Sequence, residues 1–412
     1  MRVEGGVREG MRDDVLNRIQ PVMQAYASLH NIPGIATLLA HRGQIVHFAQ
    51  TGWQDAAHQT PLAADTLYRI YSMTKPVVCA AFLQLYETGA VRLEDAVAQY
   101  IPAFGHSRVM VETPLGMRYE PLARPILVRD LLTHTAGLTY DFLEDNPVAA
   151  LYREAQLMGY AERSLAQLTN EIAHLPLAWQ PGTRWHYSLS IDVLAHLIEI
   201  ISGWPLEVFL IERIFKPLAM HDTRFSVAQE KMSRLAQMHG CPDVAVSTLS
   251  QIVAAQEQGD HQVRDVEETY PARRLATFAR GGHGLFSTMG DYFRFAQMLL
   301  NEGEFEGVRV LSKQTVQLMR SNQLALDLLP FSIGPVPHSG YGFGMGGRIR
   351  IDAASCAFPG ANGEFGWEGA ARTSFWVDPE SELVGVMMMQ HMVGRDWPER
   401  EFRALAYQAL KC

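Results

Sequence analysis

The order of apolar and polar residues predicts strands at both ends of the chain. Near the start, residues 14–29 have helical apolar spacing, and two strands follow at 34–40 and 44–51 around the turn 41–43. Near the end, strand-like runs at 373–377 and 383–389 flank the turn 378–381, and 398–410 is predicted to be helical. The two ends therefore supply strands and a helix each.

The middle of the chain is mostly helical in its pattern. The predicted helices span 76–88, 128–132, 191–202, 207–215 and 290–301. Strands at both ends with helices between them favour one antiparallel sheet built from the two ends, with a helical insertion. Residues 229–269 are polar and poorly periodic, which is typical of a long loop or a lid.

Composition excludes several classes of protein. The 412 residues carry 35 basic and 44 acidic side chains, a net charge of −9, and 48% of them are hydrophobic. So much apolar side chain argues against disorder, and the acidic balance argues against nucleic acid as a partner. No run approaches the ~18 consecutive apolar residues of a membrane span, so no membrane partner is predicted. The first ten residues resemble an unstructured lead-in, and the absence of an apolar leader predicts a cytoplasmic protein.

Cysteine and histidine usage predicts no metal site. Cys79, Cys241, Cys356 and Cys412 are widely spaced and form no Cys-x-x-Cys pair, which is typical of reduced thiols. The 15 histidines show no metal-ligand spacing. The chain has 30 arginines but only 5 lysines, so a lysine in an apolar setting stands out.

Such a lysine occurs in the tetrapeptide Ser72-Met73-Thr74-Lys75, the only Ser-x-x-Lys in the chain. An apolar helix follows, and Pro76 is tolerated in its first turn, so the helix is predicted to start between Ser72 and Lys75. Residues i and i+3 share a helix face, so the lysine amine can reach the serine hydroxyl. A lysine whose pKa is lowered can act as base for a serine nucleophile. The alternative is an N-cap serine followed by an exposed lysine.

Two further segments carry candidate chemistry. A Pro-Gly turn precedes Tyr187, whose phenol could share proton transfer with Lys75, the ammonium lowering its pKa; a half-buried structural tyrosine is the alternative. The glycine-rich segment 366–370 could bring a backbone N–H close to a ligand as part of an oxyanion hole, or could be a bulge with a core tryptophan. Residues 281–284, also rich in glycine, lack phosphate-loop spacing and are interpreted as a structural turn. No Gly-x-Ser-x-Gly elbow occurs, so an α/β-hydrolase is not indicated.

Together these segments resemble the serine β-lactamases and penicillin-binding proteins, in the class C-like branch. Those families carry a Ser-x-x-Lys, a tyrosine motif and a late strand motif in the same order along the chain. Further similar segments are 131–138, 181–188, 281–290 and 341–344.

Two motifs differ from the usual β-lactamase motifs and indicate which branch the chain resembles. The usual Tyr-x-Asn is Tyr187-Ser188-Leu189 here, and the usual Lys-Thr-Gly is Trp367-Glu368-Gly369. Leucine cannot hold the amide of a β-lactam, and Glu368 would repel its carboxylate if it pointed inward. Both motifs look like those of family VIII carboxylesterases and related acyltransferases.

The resemblance implies an α/β fold of the β-lactamase/transpeptidase type, an antiparallel sheet flanked by helices with a helical domain. The expected α/β part is discontinuous (1–80, 132–192 and 296–412), and 81–131 and 193–295 form the helical part. The active site is expected in the cleft between them.

The same resemblance implies roles for individual residues. Ser72 is the expected nucleophile and Lys75 with Tyr187 the general base and acid. The N–H groups of Ser72 and Ala370 form the expected oxyanion hole. Substrate contacts are expected from Trp367, which walls the acyl pocket, and from Gly369 and Tyr140.

The predicted function is a serine carboxylesterase acting on small, short-chain esters without metal or cofactor, with a small-molecule ester as partner. Three alternatives stay open at this point. They are an acyltransferase using the same acyl-enzyme, a β-lactamase or D,D-peptidase, and a non-catalytic binding protein on the same fold. The sequence gives no indication of oligomeric state.

Overall fold

A computed structural model describes residues 9–259, 261–275, 277–393 and 397–411. The lead-in predicted for residues 1–10 thus falls mostly outside the described residues. The α-helices, in chain order, are α1 (Asp13–Leu29), α2 (Thr74–Glu87), α3 (Val128–Leu132), α4 (Val148–Glu154), α5 (Leu165–His174), α6 (Ser190–Ser202), α7 (Leu206–Leu210), α8 (Leu249–Glu257), α9 (Met289–Leu300), α10 (Lys313–Met319) and α11 (Trp397–Gln408). The helices predicted from periodicity are confirmed to within a few residues, and α7 continues as a π-helical turn over Ile211–Phe215.

Apart from one hairpin of six-residue strands, the strands outside one large sheet have two residues each among the described residues. In chain order they are β1 (Gly34–His41), β2 (Gln44–Asp55), β3 (Thr60–Pro61), β4 (Tyr68–Arg69), β5 (Arg108–Thr113), β6 (Gly116–Pro121), β7 (His239–Gly240), β8 (Phe286–Ser287), β9 (Glu304–Phe305), β10 (Val308–Arg309), β11 (Ser332–Ile333), β12 (Val336–Pro337), β13 (Tyr341–Phe343), β14 (Arg348–Arg350), β15 (Phe365–Gly369), β16 (Thr373–Asp378), β17 (Leu383–Met388) and β18 (His391–Met392). Eight of them form the sheet β13-β14-β15-β16-β17-β1-β2-β3.

The sheet joins the two ends of the chain, as predicted. β1 pairs antiparallel with β17 in a register that sets Leu38 opposite Val386. Because side chains alternate across a strand, the two faces of this pair supply two separate cores. Leu38 and Val386 belong to the large core beneath the helices, whereas Leu39 and Met387 pack with α1 and α11 on the opposite face. An antiparallel sheet covered by helices is the fold that the resemblance implied; the division into two parts stays a prediction.

Helix α2 lies inside the large core. Its residues 74–83 are all buried, which explains why the run is apolar on every side rather than along one face. The helix begins where the Ser-x-x-Lys spacing predicts, directly after a 3-10 turn over Tyr71–Met73. The burial of α2 brings the polar Lys75 into an apolar environment.

The segment 229–269 is partly structured rather than one long loop. It contains a 3-10 turn (Gln229–Arg234), the short strand β7 and helix α8. Thr248 caps α8 through a reciprocal pair of hydrogen bonds with Gln251, which the polar sequence supplies. This helix forms one wall of the cleft described below.

Among the described residues, Cys79, Cys241 and Cys356 form no disulfide, and Cys412 lies outside them. Within the described ranges, no single helix combines the length and the apolar character needed to cross a membrane. One pair, Ser190–Ser202 with Leu206–Phe215, meets both criteria together but is bent by 81°.

Candidate active site

Ser72 lies on the 3-10 turn that leads into α2. Tyr71, directly before it, has a φ of +44°, a left-handed conformation that is rare for a bulky residue. The ring of Tyr71 is buried against Tyr270, with 4.8 Å between ring centroids. This packing stabilises the unusual turn, and the Ser72 side chain lines the cleft.

Lys75 lies one helical turn further on, and its Nζ is 3.0 Å from Ser72 Oγ. Its side chain is fully buried. Burial lowers the pKa of Lys75 to about 7, although the Asp192 carboxylate nearby favours the charged form. The amine can therefore be neutral near pH 7 and accept the serine proton. The alternative of an exposed first-turn lysine is therefore wrong.

Tyr187 reaches the same serine from a distant part of the chain. Its hydroxyl is 2.6 Å from Ser72 Oγ, across 115 positions of sequence. Burial raises the pKa of Tyr187, which is the opposite of the lowering expected from a neighbouring ammonium. The phenol is therefore neutral at ordinary pH and able to donate a proton.

Trp367 both lines the cleft and forms a hydrogen bond with Tyr187. It is buried, and its indole N–H donates to the Tyr187 hydroxyl over 3.3 Å. It lies in strand β15, which pairs with β16 without a register shift, so the alternative of a bulge is wrong, although the core tryptophan of that alternative is confirmed. The sequence pointed to this residue through the resemblance, but its hydrogen bond to the proton donor was not foreseen.

The end of β15 is pressed against the turn that carries the serine. A Cβ on Gly369 would lie 2.4 Å from the carbonyl oxygen of Ile70, so only glycine allows this approach. Thr373 donates its hydroxyl to the same carbonyl over 3.2 Å. Ala370, the expected second oxyanion donor, also lines the cleft, and its carbonyl accepts from the N–H of Val393 over 2.7 Å.

Glu368 forms a salt bridge with Arg348. Its Oε1 is 3.3 Å from a terminal nitrogen of Arg348. Burial opposes ionisation, but the guanidinium groups of Arg348 and Arg372 prevail and lower the pKa of Glu368 to about 2. The repulsion of a substrate carboxylate expected from Glu368 is therefore offset by its own partners.

These residues surround a cavity of about 1060 Å³. Ser72, Tyr187, Trp367, Gly369 and Ala370 lie along one side of it. Tyr140, predicted as a substrate contact, lines it as well. The centroid of its ring lies 5.0 Å from that of Tyr187. An apolar wall of the cavity consists of side chains from α8 and the β11–β12 hairpin: Leu249, Ile252, Val253, Ile333, Val336 and Pro337. The polar Gln256 and Glu257 at the end of α8 line the cavity as well.

Two contributors were missed at the level of sequence. The segment 281–284 is more than a structural turn, because the carbonyl oxygen of Gly282 accepts from Lys75 Nζ over 2.8 Å. Asp192, in the first turn of α6, accepts from the N–H of Gly282 over 3.1 Å. The signal available was the Gly-Gly pair itself, since two glycines in a row permit close packing of backbone against a neighbour. In the described part of the chain, no group of three or more His, Cys, Asp or Glu side chains could hold a metal ion.

The fold is that of the serine β-lactamase-like class. The chain matches the model of the Beta-lactamase family over residues 17–409 and belongs to that family. It is 34% identical over 366 residues to Protein Rv1367c of Mycobacterium tuberculosis (strain ATCC 25618 / H37Rv), covering 87% of this chain and 86% of that protein.

Two more distant matches carry named activities. The chain is 26% identical over 366 residues to Esterase EstB of Burkholderia gladioli, covering 88% of this chain and 86% of that protein. A solved structure described as "EstCE1, a hydrolase with promiscuous acyltransferase activity" matches with a TM-score of 0.79 at 24% identity, over 96% of this chain and 99% of that one. The predicted resemblance is confirmed, and the family has both esterase and acyltransferase members.

Proposed function

We propose that this chain is a serine carboxylesterase of the family VIII type, with Ser72 as nucleophile and Lys75 and Tyr187 as general base and acid. The observation that carries the proposal is the convergence of Lys75 Nζ and Tyr187 Oη on Ser72 Oγ, at 3.0 and 2.6 Å. Both distances are within the reach needed for proton transfer. A binding protein with no catalytic role would have no need of this arrangement.

In acylation, Ser72 Oγ attacks the ester carbonyl carbon and its proton passes to the neutral amine of Lys75. The backbone N–H groups of Ser72 and Ala370 stabilise the oxyanion; losing one such donor typically costs about 2.7–4 kcal/mol. The carbon–oxygen bond to the alcohol then breaks. Tyr187 donates its proton to the departing oxygen and is reprotonated from the Lys75 ammonium.

In deacylation the same groups act on water. A water molecule attacks the acyl carbonyl and loses its proton to the Tyr187–Lys75 pair. The bond to Ser72 breaks, and Ser72 Oγ takes that proton back as the carboxylic acid leaves. Each group ends in its starting state, and no metal or cofactor takes part in these steps.

We propose short acyl chains next to Ser72, because Trp367 closes that side of the cleft with a large buried ring. The cavity of about 1060 Å³ is larger than a short acyl group fills. The apolar wall of α8 and the β11–β12 hairpin is therefore assigned to the rest of the ester.

Acyl transfer is the second candidate, and the same open cavity favours it. An acceptor alcohol could occupy the space vacated by the first alcohol and attack the acyl-enzyme in place of water. Several relatives carry names of this kind, such as the monacolin J acid methylbutanoyltransferase of Aspergillus terreus. Product analysis with a candidate acceptor alcohol in the reaction separates transfer from hydrolysis.

The test of the proposed function is a paired initial-rate assay of p-nitrophenyl butyrate and a chromogenic cephalosporin, with Ser72→Ala as control. We expect fast ester turnover, slow or absent cephalosporin turnover, and a loss of at least about a thousandfold in the folded Ser72→Ala protein. Wild-type-like turnover by that variant would refute the nucleophile assignment. Dominant cephalosporin turnover would make the protein a β-lactamase instead.

A further inference from the structure

The catalytic lysine proposed above is held at two points, and only one of them is the serine. Lys75 Nζ donates to the carbonyl oxygen of Gly282 over 2.8 Å, the shorter of its two hydrogen bonds to named partners. Because the amine is fully buried, water does not provide an alternative acceptor along that direction. The position of the Gly282 carbonyl therefore fixes where the amine lies relative to Ser72.

Asp192 in turn fixes Gly282. The carboxylate Oδ1 of Asp192 accepts from the Gly282 N–H over 3.1 Å. A Cβ on Gly282 would lie 2.5 Å from Asp192 Oδ2, and one on Gly281 would lie 2.3 Å from the carbonyl oxygen of Ile191. The segment thus rests directly against the first turn of α6, and the two glycines are required by this contact.

The second oxygen of Asp192 has no hydrogen bond that explains its burial. The side chain is fully buried, and Oδ2 has no hydrogen-bond partner of normal geometry among the described residues. A buried charged oxygen in this state is unfavourable unless another charge compensates it. Burial raises the pKa of Asp192 above its ordinary value, and the groups that oppose this rise are the backbone N–H groups of Gly282 and Gly281 and the cations Lys75 and Arg280.

The groups that face Lys75 are otherwise neutral. Burial lowers the pKa of both His134 and His283 well below the ordinary value, and burial raises the pKa of Tyr140, Tyr187 and Cys79. Asp192 is thus the anionic group acting on the amine from the elements packed around it.

We propose that Asp192 is a positioning residue of the reaction: it holds the Gly282 carbonyl that binds Lys75, and its carboxylate stabilises the ammonium group that Lys75 becomes on taking the Ser72 proton. The proposal rests on the function proposed above, because it gives Asp192 its role through Lys75. The step it assists moves one proton from Ser72 Oγ to Lys75 Nζ and needs no further reactant.

The first test is the pH profile of kcat/KM for p-nitrophenyl butyrate with Asp192→Asn. The amide keeps an oxygen for the Gly282 N–H but lacks the charge. Without that charge the ammonium is less stable, so the acidic limb moves to lower pH by about 1 unit. The plateau falls about three- to tenfold, because a weaker base accepts the proton less readily. A purely structural role would lower the plateau without moving the limb.

Asp291→Asn is the matched control. Asp291 is also the third residue of its helix, α9, and is also buried. Its carboxylate accepts from the N–H of Asp222 and the hydroxyl of Thr223, away from the cleft. This variant is expected to lower stability while leaving the acidic limb and the plateau rate unchanged.

The second test reads Lys75 directly and needs no turnover. The chain has only five lysines, so NMR titration of protein labelled with ¹³C at the lysine ε-carbon resolves them, and Lys75→Ala assigns the signal. Asp192→Asn is expected to lower the titration midpoint of Lys75, and Asp291→Asn is not. This arm still decides the role of the Asp192 charge if the wild-type chain shows no Ser72-dependent ester turnover, an outcome that would refute the proposed function alone.

Gly282→Ala separates positioning from charge. Its added methyl group would push the segment away from Asp192 and leave the carboxylate in place, so kcat is expected to fall more than the midpoint moves. It also serves if Asp192→Asn fails to fold. The proposal is overturned if Asp192→Asn leaves the Lys75 midpoint at its wild-type value, or if Gly282→Ala leaves kcat unchanged.

Discussion

Burial shifts the pKa values of the two proton-transfer groups beside Ser72 in opposite directions. It lowers the pKa of Lys75 to about 7 and raises the pKa of Tyr187. Removing water disfavours the charged form of each group, which for an amine is the protonated form and for a phenol the deprotonated one. One apolar environment thus produces a neutral base and a neutral acid side by side.

The first prediction at this scale concerns pH. Since the reaction needs Lys75 neutral, kcat/KM for p-nitrophenyl butyrate should be low in acid and rise with pH through a midpoint near 7. Tyr187→Phe should lower the plateau by about a hundredfold or more and leave the midpoint in place. A midpoint near 10, or a limb that disappears in Tyr187→Phe, would transfer the role of base to the tyrosine.

The second residue-scale prediction concerns the indole of Trp367. Trp367→Phe keeps an aromatic wall but removes the N–H that donates to the Tyr187 hydroxyl. The loss of one such hydrogen bond is worth about 0.5–1.5 kcal/mol, so kcat should fall about two- to tenfold with KM for a short ester little changed. Steady-state kinetics check this. A rise in KM at constant kcat would instead mean that Trp367 contributes binding alone.

At the scale of elements, the site depends on how β15 meets the turn before α2. These two elements are separated by nearly three hundred residues in the sequence, yet Gly369 at the end of β15 and Thr373 at the start of β16 both contact the carbonyl of Ile70, two residues before Ser72. The spacing between the two proposed oxyanion donors therefore depends on the packing of a strand edge against a turn.

Gly369→Ala tests this contact. The added methyl group would lie 2.3 Å from the hydroxyl oxygen of Thr373 and 2.4 Å from the Ile70 carbonyl, so the strand must move away from the turn. We expect kcat to fall at least about tenfold, since oxyanion stabilisation depends steeply on geometry. Gly105→Ala is the control, because its methyl group would meet only the Ala98 side chain at an ordinary 3.6 Å. Equal activity of the two variants would contradict the docking argument.

At the scale of the whole molecule, buried ion pairs attach the last helix to the sheet. Arg403 of α11 is fully buried and lies 2.9 Å from Glu364 and 3.1 Å from Glu399. Its guanidinium also lies 4.2 Å from the ring centroid of Trp376 in β16. Arg348, which neutralises Glu368 at the cleft, lies 3.8 Å from the same Glu399. The network thus extends from the C-terminal helix to the active-site cleft.

Breaking this network should lower the free energy of unfolding. Arg403→Met leaves two carboxylates without their common partner, so the free energy of unfolding should fall by about 3–5 kcal/mol in urea titrations. Arg42→Ala removes the exposed pair with Glu382, whose side chains are 58% and 52% exposed, and should change stability by less than about 1 kcal/mol. Similar losses in the two variants would show that the buried network adds no special stability.

Much of the fold could be predicted because its signals are local. The period of apolar residues located α1, α6 and α9, the apolar run after Ser-x-x-Lys located α2, and turn residues located both terminal hairpins. The polar segment 229–269 was harder, since α8 is marked mainly by its Thr248–Gln251 cap and has few buried residues of its own. Its place as a cleft wall depends on contacts with distant parts of the chain.

The sequence by itself determined the chemistry available: one Ser-x-x-Lys at the start of an apolar helix, one tyrosine after a Pro-Gly turn and one glycine-rich strand. Its spacing also determined that Lys75 lies within reach of Ser72, because i and i+3 share a helix face. Only the tertiary structure decided that Tyr187, Trp367, Gly282 and Asp192 meet there, since no local period encodes contacts across 90 to 207 positions. The tertiary structure also decided the pKa values, because burial, which separates the base from the acid, is a property of the packed molecule.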